Sequence, residues 1–198
     1  MKFINQRDYP HWLYVTKTDM EENDRESGKT TTVFTSACGM CCAVMVAERL
    51  IPNCTFDLSQ AIDLSYAVKA NYRVGTSYKR FAPAFAEKLG LYMENTGDIE
   101  EVLRCVRTGG AVVVLTGGDH DGEVGLFTHG GHYITVISEE RDGRLAILDP
   151  YLYDGKFEEE GRKGKVEMTR DVIVLCDKET LHKEASRKGN AYYLFWRQ

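Results

Sequence analysis

At 198 residues, 43% hydrophobic and 28% charged, the chain has the size and balance of an ordinary globular domain, which excludes disordered and collagen-like classes. Its net charge of −5, with no basic patch, argues against a nucleic-acid or anionic-membrane partner. Six cysteines are too few for a disulfide scaffold, and no apolar run approaches the roughly 18 residues that span a membrane.

The first residues, Met1-Lys2-Phe3-Ile4-Asn5, turn polar at once and carry no secretory signal. Most cysteines lie in apolar runs such as Leu103-Arg104-Cys105-Val106 and Val174-Leu175-Cys176, the pattern of buried free thiols in a reducing compartment. The expectation is a soluble, cytoplasmic protein, although a secreted chain without its signal peptide reads the same. Two charged stretches, 17-KTDMEENDRESGKT-30 and 154-DGKFEEEGRKGK-165, are predicted to be exposed loops, and neither has the composition of an interdomain linker.

The first half reads mainly as helix. Residues 38–50 stop at Ile51-Pro52. Residues 57–71 place Leu58, Ala61, Ile62 and Tyr66 near one face, with Asp57 as a cap. Residues 77–89 start at Thr76-Ser77 and end at Gly90, and residues 98–107 are closed by Gly109-Gly110. Five later segments, 111–116, 132–138, 144–149, 171–176 and 191–196, are rich in β-branched and aromatic residues between turn signals. The pair joined by 139-EERDG-143 reads as an antiparallel hairpin. Helices first and strands afterwards predict an α+β fold in a single domain over 1–198.

The densest chemistry is 35-TSACGMCCAVMV-46, with Cys38, Cys41 and Cys42 at a predicted helix start. A strand-like run, Thr31 to Phe34, followed by Cys38-x-x-Cys41 suits a thiol–disulfide redox centre, because a helix N-terminus lowers a thiol pKa. The prolines at 10, 52, 83 and 150 do not supply the strand-start proline such folds place against the dithiol. A zinc site would need Cys38 and Cys41 joined by His129 and His132, nearly ninety residues away. The segment 119-DHDGEVGLFTHG-130 begins like a calcium loop, but its glycine is one place late and Gly130 stands where a bidentate glutamate belongs. No metal and no cofactor is expected.

A nucleophilic Cys38 needs a histidine to share its proton, and the histidine needs a carboxylate or amide to fix its tautomer. His132 stands at the first position of an apolar strand after Gly130-Gly131. The next strand ends in Asp149-Pro150, and counting back from the 141–143 turn brings Asp149 near the level of His132. Singly, each has a bland explanation: a satisfied histidine, a turn, a buried thiol. Together, in the order Cys, His, Asp, they make a catalytic constellation.

Four stretches, 6-QRDYPHW-12, 37-ACGMCCAVMVAERL-50, the pair 75-GTSYKRFAPAFAEKLGL-91 and 107-RTGGAVVV-114, and the pair 131-GHYITV-136 and 148-LDPY-151, carry a family resemblance. The chain resembles the papain-like cysteine peptidases of the bacteriocin-leader (double-glycine) type, especially their stand-alone bacterial relatives. The resemblance implies a papain-like fold with helices packed on a mainly antiparallel sheet. It implies Cys38 as nucleophile, His132 as base and acid, Asp149 as orienting carboxylate, and a glutamine at the oxyanion. Gln6 is the one upstream candidate for that glutamine, farther from Cys38 than the family pattern has it. Gly39, Gly131 and Tyr133 are candidates for the cleft wall. The glycines of the loop 117–131 suggest mobility, and its Asp119, Asp121 and Glu123 suggest cationic or polar ligands. The implied partner is a peptide or small amide. A peptide-binding protein that does not cleave, an amidase, and a redox protein using Cys38 and Cys41 are the alternatives. Oxidation tying Cys41 to Cys38 is a further regulatory possibility.

Overall fold

The protein is described by a computed structural model covering residues 2–16, 30–72 and 75–198. The first charged stretch therefore lies, over 17–29, outside the described residues. Where a strand-like run was expected at Thr31–Phe34, Thr32 makes one bridge to Leu13, and a short helix then begins, α1 (Val33–Ser36). The Thr35 hydroxyl accepts the Thr32 backbone N–H at 3.0 Å, turning the chain into helix before a strand can extend.

Helix α2 (Cys38–Leu50) follows immediately, with every residue from Gly39 to Ala47 buried. A helix apolar on all sides belongs inside a core. Helix α3 (Leu58–Ala67) starts with a capping box, Asp57 accepting from Gln60 N at 2.9 Å and Gln60 returning the bond to Asp57 N at 3.0 Å. Its buried face is Leu58, Ala61, Ile62 and Ser65; Tyr66, expected there, is 37% exposed and stacks on Tyr14 instead. Helix α4 (Tyr78–Leu89) ends at Gly90 as predicted, and α5 (Ile99–Arg107) is capped by Asp98.

The strands are β1 (Leu91–Thr96), β2 (Ala111–Thr116), β3 (His132–Glu139), β4 (Leu145–Leu148), β5 (Glu167–Met168), β6 (Ile173–Cys176) and β7 (Tyr192–Arg197). They form one seven-stranded antiparallel sheet in the order β1-β7-β2-β3-β4-β6-β5. The last helix, α6 (Lys178–Ser186), was not evident in the sequence, and neither was β1. Among the described residues, six helices and seven strands confirm the α+β class.

Both sheet faces are covered, which explains why strands such as 111-AVVVLT-116 read as continuous apolar runs rather than alternating ones. Ala111, Val113, Tyr133, Leu148 and Phe195 join one core with α2, α3 and α4. Val112, Val114, Ile134, Ile147 and Leu194 join a second core with Val102 of α5, Leu181 of α6, and Phe127 and Phe157. Among the described residues no helix is long and apolar enough to cross a membrane.

Candidate active site

Helix α2 starts at Cys38 with Ala37 as its N-cap, a residue with no side chain to satisfy the first-turn N–H groups. A half-buried thiol therefore sits at an uncapped helix start, where a negative charge is favoured. Gly39 is closely packed: a Cβ there would lie 3.2 Å from the Tyr78 ring and 3.3 Å from the Tyr133 ring, so those rings would have to give way slightly. Gly39 is thus enclosed by aromatic rings and, contrary to expectation, is not part of the cleft wall.

The hairpin delivers the partners. Thr135 pairs with Leu148 and Val136 with Ile147, with a bulge between Val136 and Ser138. Continuing that register puts Asp149 two residues short of direct opposition to His132, close enough for a diagonal contact. His132 Nε2 and Asp149 Oδ1 are 2.8 Å apart, with side chains 3% and 0% exposed. Nε2 is thereby taken, and Cys38 stands beside His132 in the wall of the same cleft. Cys38, His132 and Asp149 are brought together.

The electrostatics follow from burial and charge. Burial pushes the Cys38 thiol up, but the His132 hydrogen bond and charge, with backbone bonds from Tyr133 and Gly39, hold it below its ordinary value. Burial pushes His132 down, yet the Asp149 charge and hydrogen bond raise it to about 9. Burial opposes ionisation of Asp149, but Lys156 and His132 hold it at about 2. Cys41 and Cys42, fully buried one turn on, are pushed well above the usual thiol range by burial. Of the three thiols only Cys38 is shifted toward easier ionisation.

Gln6 reaches the same cleft from the N-terminal segment. Its backbone N–H donates to Pro150 O at 2.7 Å, and its side-chain Nε2 donates to Phe34 O at 2.5 Å. The second hydrogen of Nε2 is left over, because an amide carries two. The cleft encloses about 750 Å³ and is lined by Gln6, Cys38, His132 and Tyr151, by Phe34–Ser36 and Gly75–Ser77, and by Thr128–Gly131 with Tyr133. Gly131 and Tyr133 line it, and the Tyr133 hydroxyl donates to Thr76 O at 3.1 Å, tying the two sides.

The glycine-rich loop 117–131 is held rather than loose. A Cβ on Gly118 would lie 2.1 Å from His129 O, and one on Gly125 would lie 2.2 Å from Thr128 O. These glycines permit close backbone packing. The buried Glu184 accepts the Leu126 N–H at 3.1 Å, and Arg162 donates to Gly125 O at 2.9 Å. The carboxylates expected to draw cationic ligands are occupied: Asp119 by His129, Asp121 by His120, Glu123 by Lys183. None of the three lines the cleft. His129, turned to Asp119, does not join Cys38 and Cys41, and among the described residues no group of three or more His, Cys, Asp or Glu side chains has metal-ligating geometry.

The second charged stretch is exposed over most of its length, but two of its cations are not. Lys156 and Arg162 are each 1% exposed. Lys156 Nζ donates to Asp149 Oδ2 and, at 2.8 Å, to Tyr151 O. The sequence signal for it was slight: a lysine between Tyr151, Tyr153 and Phe157, whose rings surround its ammonium.

No protein-family model and no curated protein matches the chain. Among solved structures, it is similar to a protein from Bacillus anthracis described as a C39-like peptidase, with a TM-score of 0.54 and 13% identity over 81% of this chain and 88% of that one. The peptidase domain of Streptococcus ComA, described as a bifunctional ABC transporter involved in a quorum-sensing pathway, aligns with a TM-score of 0.49 and 16% identity over 95% of this chain and 100% of that domain. The fold is the papain-like fold of the C39-like peptidases.

Proposed function

We propose that the protein is a cysteine peptidase that hydrolyses a peptide or amide bond through Cys38, His132 and Asp149. The observation that carries this reading is a half-buried thiol at an uncapped helix start, sharing one cleft with a histidine whose Nε2 is held by a buried carboxylate. In this reaction the Cys38 thiolate attacks the scissile carbonyl carbon, forming a C–S bond while the carbonyl oxygen takes the negative charge. The Cys38 backbone N–H and the spare Gln6 Nε2 hydrogen stabilise that oxyanion. His132 gives its proton to the leaving amine as the C–N bond breaks, leaving a thioester. Water then attacks the thioester, His132 takes the water's proton, and the acid product leaves as the thiolate is restored.

The cleft volume of about 750 Å³ suits a peptide segment. The test is the pH dependence of iodoacetamide alkylation, located by mass spectrometry. Cys38 is expected to reach its rate plateau well below pH ~8.5, the ordinary thiol value, and peptide hydrolysis is expected to disappear in Cys38→Ala. A Cys38 that labels only as an ordinary thiol refutes the reading. A depressed thiolate that binds peptides without forming a thioester makes the protein a binder on the same scaffold.

A further inference from the structure

Asp149 is held from two sides. From the cleft, His132 Nε2 donates to Oδ1 at 2.8 Å, joined there by the Tyr151 backbone N–H at 2.9 Å. From the other side Lys156 donates to Oδ2. Lys156 lines a second cavity of about 490 Å³ that shares no wall residue with the cleft. Asp149 itself lines neither. We propose that Lys156 is a positioning residue of the catalytic site, fixing and neutralising the Asp149 carboxylate so that it orients His132 without trapping its proton. This rests on the peptidase reading.

Two physical requirements meet at this lysine. A carboxylate bound only through Oδ1 can swing about its Cβ–Cγ bond, and a donor on each oxygen locks the plane that orients the imidazole. A fully buried carboxylate whose sole counter-charge is the imidazolium also holds the histidine in its charged form. Catalysis needs His132 to release its proton to the leaving amine, so a second positive charge on Asp149 eases that step.

The surroundings of the ammonium are specific. Asp149 and the Tyr151 carbonyl accept from it, and the Tyr151, Tyr153 and Phe157 rings lie 5.5, 5.9 and 5.4 Å from it. Arg162 and Glu159 act on it electrostatically, and Asp154, Glu158 and Arg170 share its cavity. Arg7 packs on the outer faces of Tyr151 and Tyr153, 5.3 and 4.5 Å from their centres. Around the thiol and the imidazole stand Cys41, Tyr133, Gly39 and Asp149, with Asp8 acting on Cys41.

The sign of the test follows. Replacing Lys156 with methionine removes a positive charge, which disfavours the Cys38 thiolate and strengthens the hold of Asp149 on the His132 proton. The acid-side midpoint of Cys38 alkylation is expected to rise by about one pH unit, roughly a tenfold loss of thiolate below it, and the alkaline limb of peptide hydrolysis is expected to rise with it. Lys156→Arg, which keeps the charge, is expected to restore the midpoint. A lower melting temperature with an unmoved midpoint overturns the role, because a merely structural ion pair predicts that pattern. If Lys156→Met does not fold, the pair Asp149→Asn with Lys156→Met leaves no buried charge unpaired. Its alkylation profile is expected to match that of Asp149→Asn alone, and an additional shift means that Lys156 does not act through Asp149. A wild-type Cys38 with no depressed midpoint refutes the peptidase reading itself, whereas a depressed wild-type midpoint unmoved in Lys156→Met refutes this inference alone.

Discussion

Two histidine–aspartate pairs have their histidines three residues apart in the chain, and they differ most in burial. His132–Asp149 spans 2.8 Å with side chains 3% and 0% exposed; His129–Asp119 spans 3.0 Å with side chains 69% and 49% exposed. Both histidines line the same cleft. Distance alone does not separate them. Water does, because a low-dielectric site makes the charge of Asp149 count at His132, whereas solvent screens the outer pair. The inner pair is also anchored to a strand start and to Lys156, while the outer pair closes a loop. A histidine–carboxylate contact becomes chemical equipment through its burial and its third partner.

The largest expected effect tests that contrast directly. His132→Ala is expected to lower kcat for peptide hydrolysis by about 10⁴-fold, the scale of losing one member of a catalytic unit. His129→Ala is expected to leave kcat at the wild-type level and alter only KM. Equal losses in the two variants break the comparison. Next in size is Gln6→Ala, expected to cost about 10²–10³ in kcat with little change in KM, as for one oxyanion donor. A purely KM effect assigns Gln6 to substrate binding instead.

The smallest effect is thermodynamic. His132 rises from 6.5 to about 9 on folding, so its contribution to stability is complete below pH 6.5 and is lost as the pH rises through about 9. Asp149 falls from 3.8 to about 2, so its contribution is complete above 3.8 and is lost as the pH falls through about 2. The melting temperature of the wild type is expected to exceed that of His132→Gln most between pH 3.8 and 6.5, by on the order of a few degrees, with the excess fading toward pH 9. A constant difference from pH 5 to 10 breaks the assignment of charge to the inner pair.

Most of this site was legible in the sequence because its parts obey local rules. Helix 38–50, capped α3 and strand 111–116 follow from apolar periodicity, Asp57 and turn residues. The hairpin between β3 and β4 carried Asp149 toward His132 through register alone. What was illegible depends on the second core. Nothing local distinguishes a buried lysine or arginine within 154–165 from a solvated one, and Gly118 and Gly125 read as freedom when they serve contact. Strand β1 was missed because 91-LYMENT-96 carries three polar residues and lies at the sheet edge. Gln6 was legible as a residue type, but its arrival depends on the Gln6–Pro150 backbone bond, which no spacing rule foretells.

The sheet order has a consequence for synthesis. Strand β7 lies between β1 and β2, and among the described residues β1 pairs with no other strand. The edge made near residue 91 must therefore wait for residues 192–197 before it can join the sheet. Such long-range pairing folds slowly because the intervening chain must be gathered first. On the ribosome, a chain already carrying Cys38, His132 and Asp149 still lacks the strand that completes its sheet, so these residues are translated well before the scaffold that would let them act.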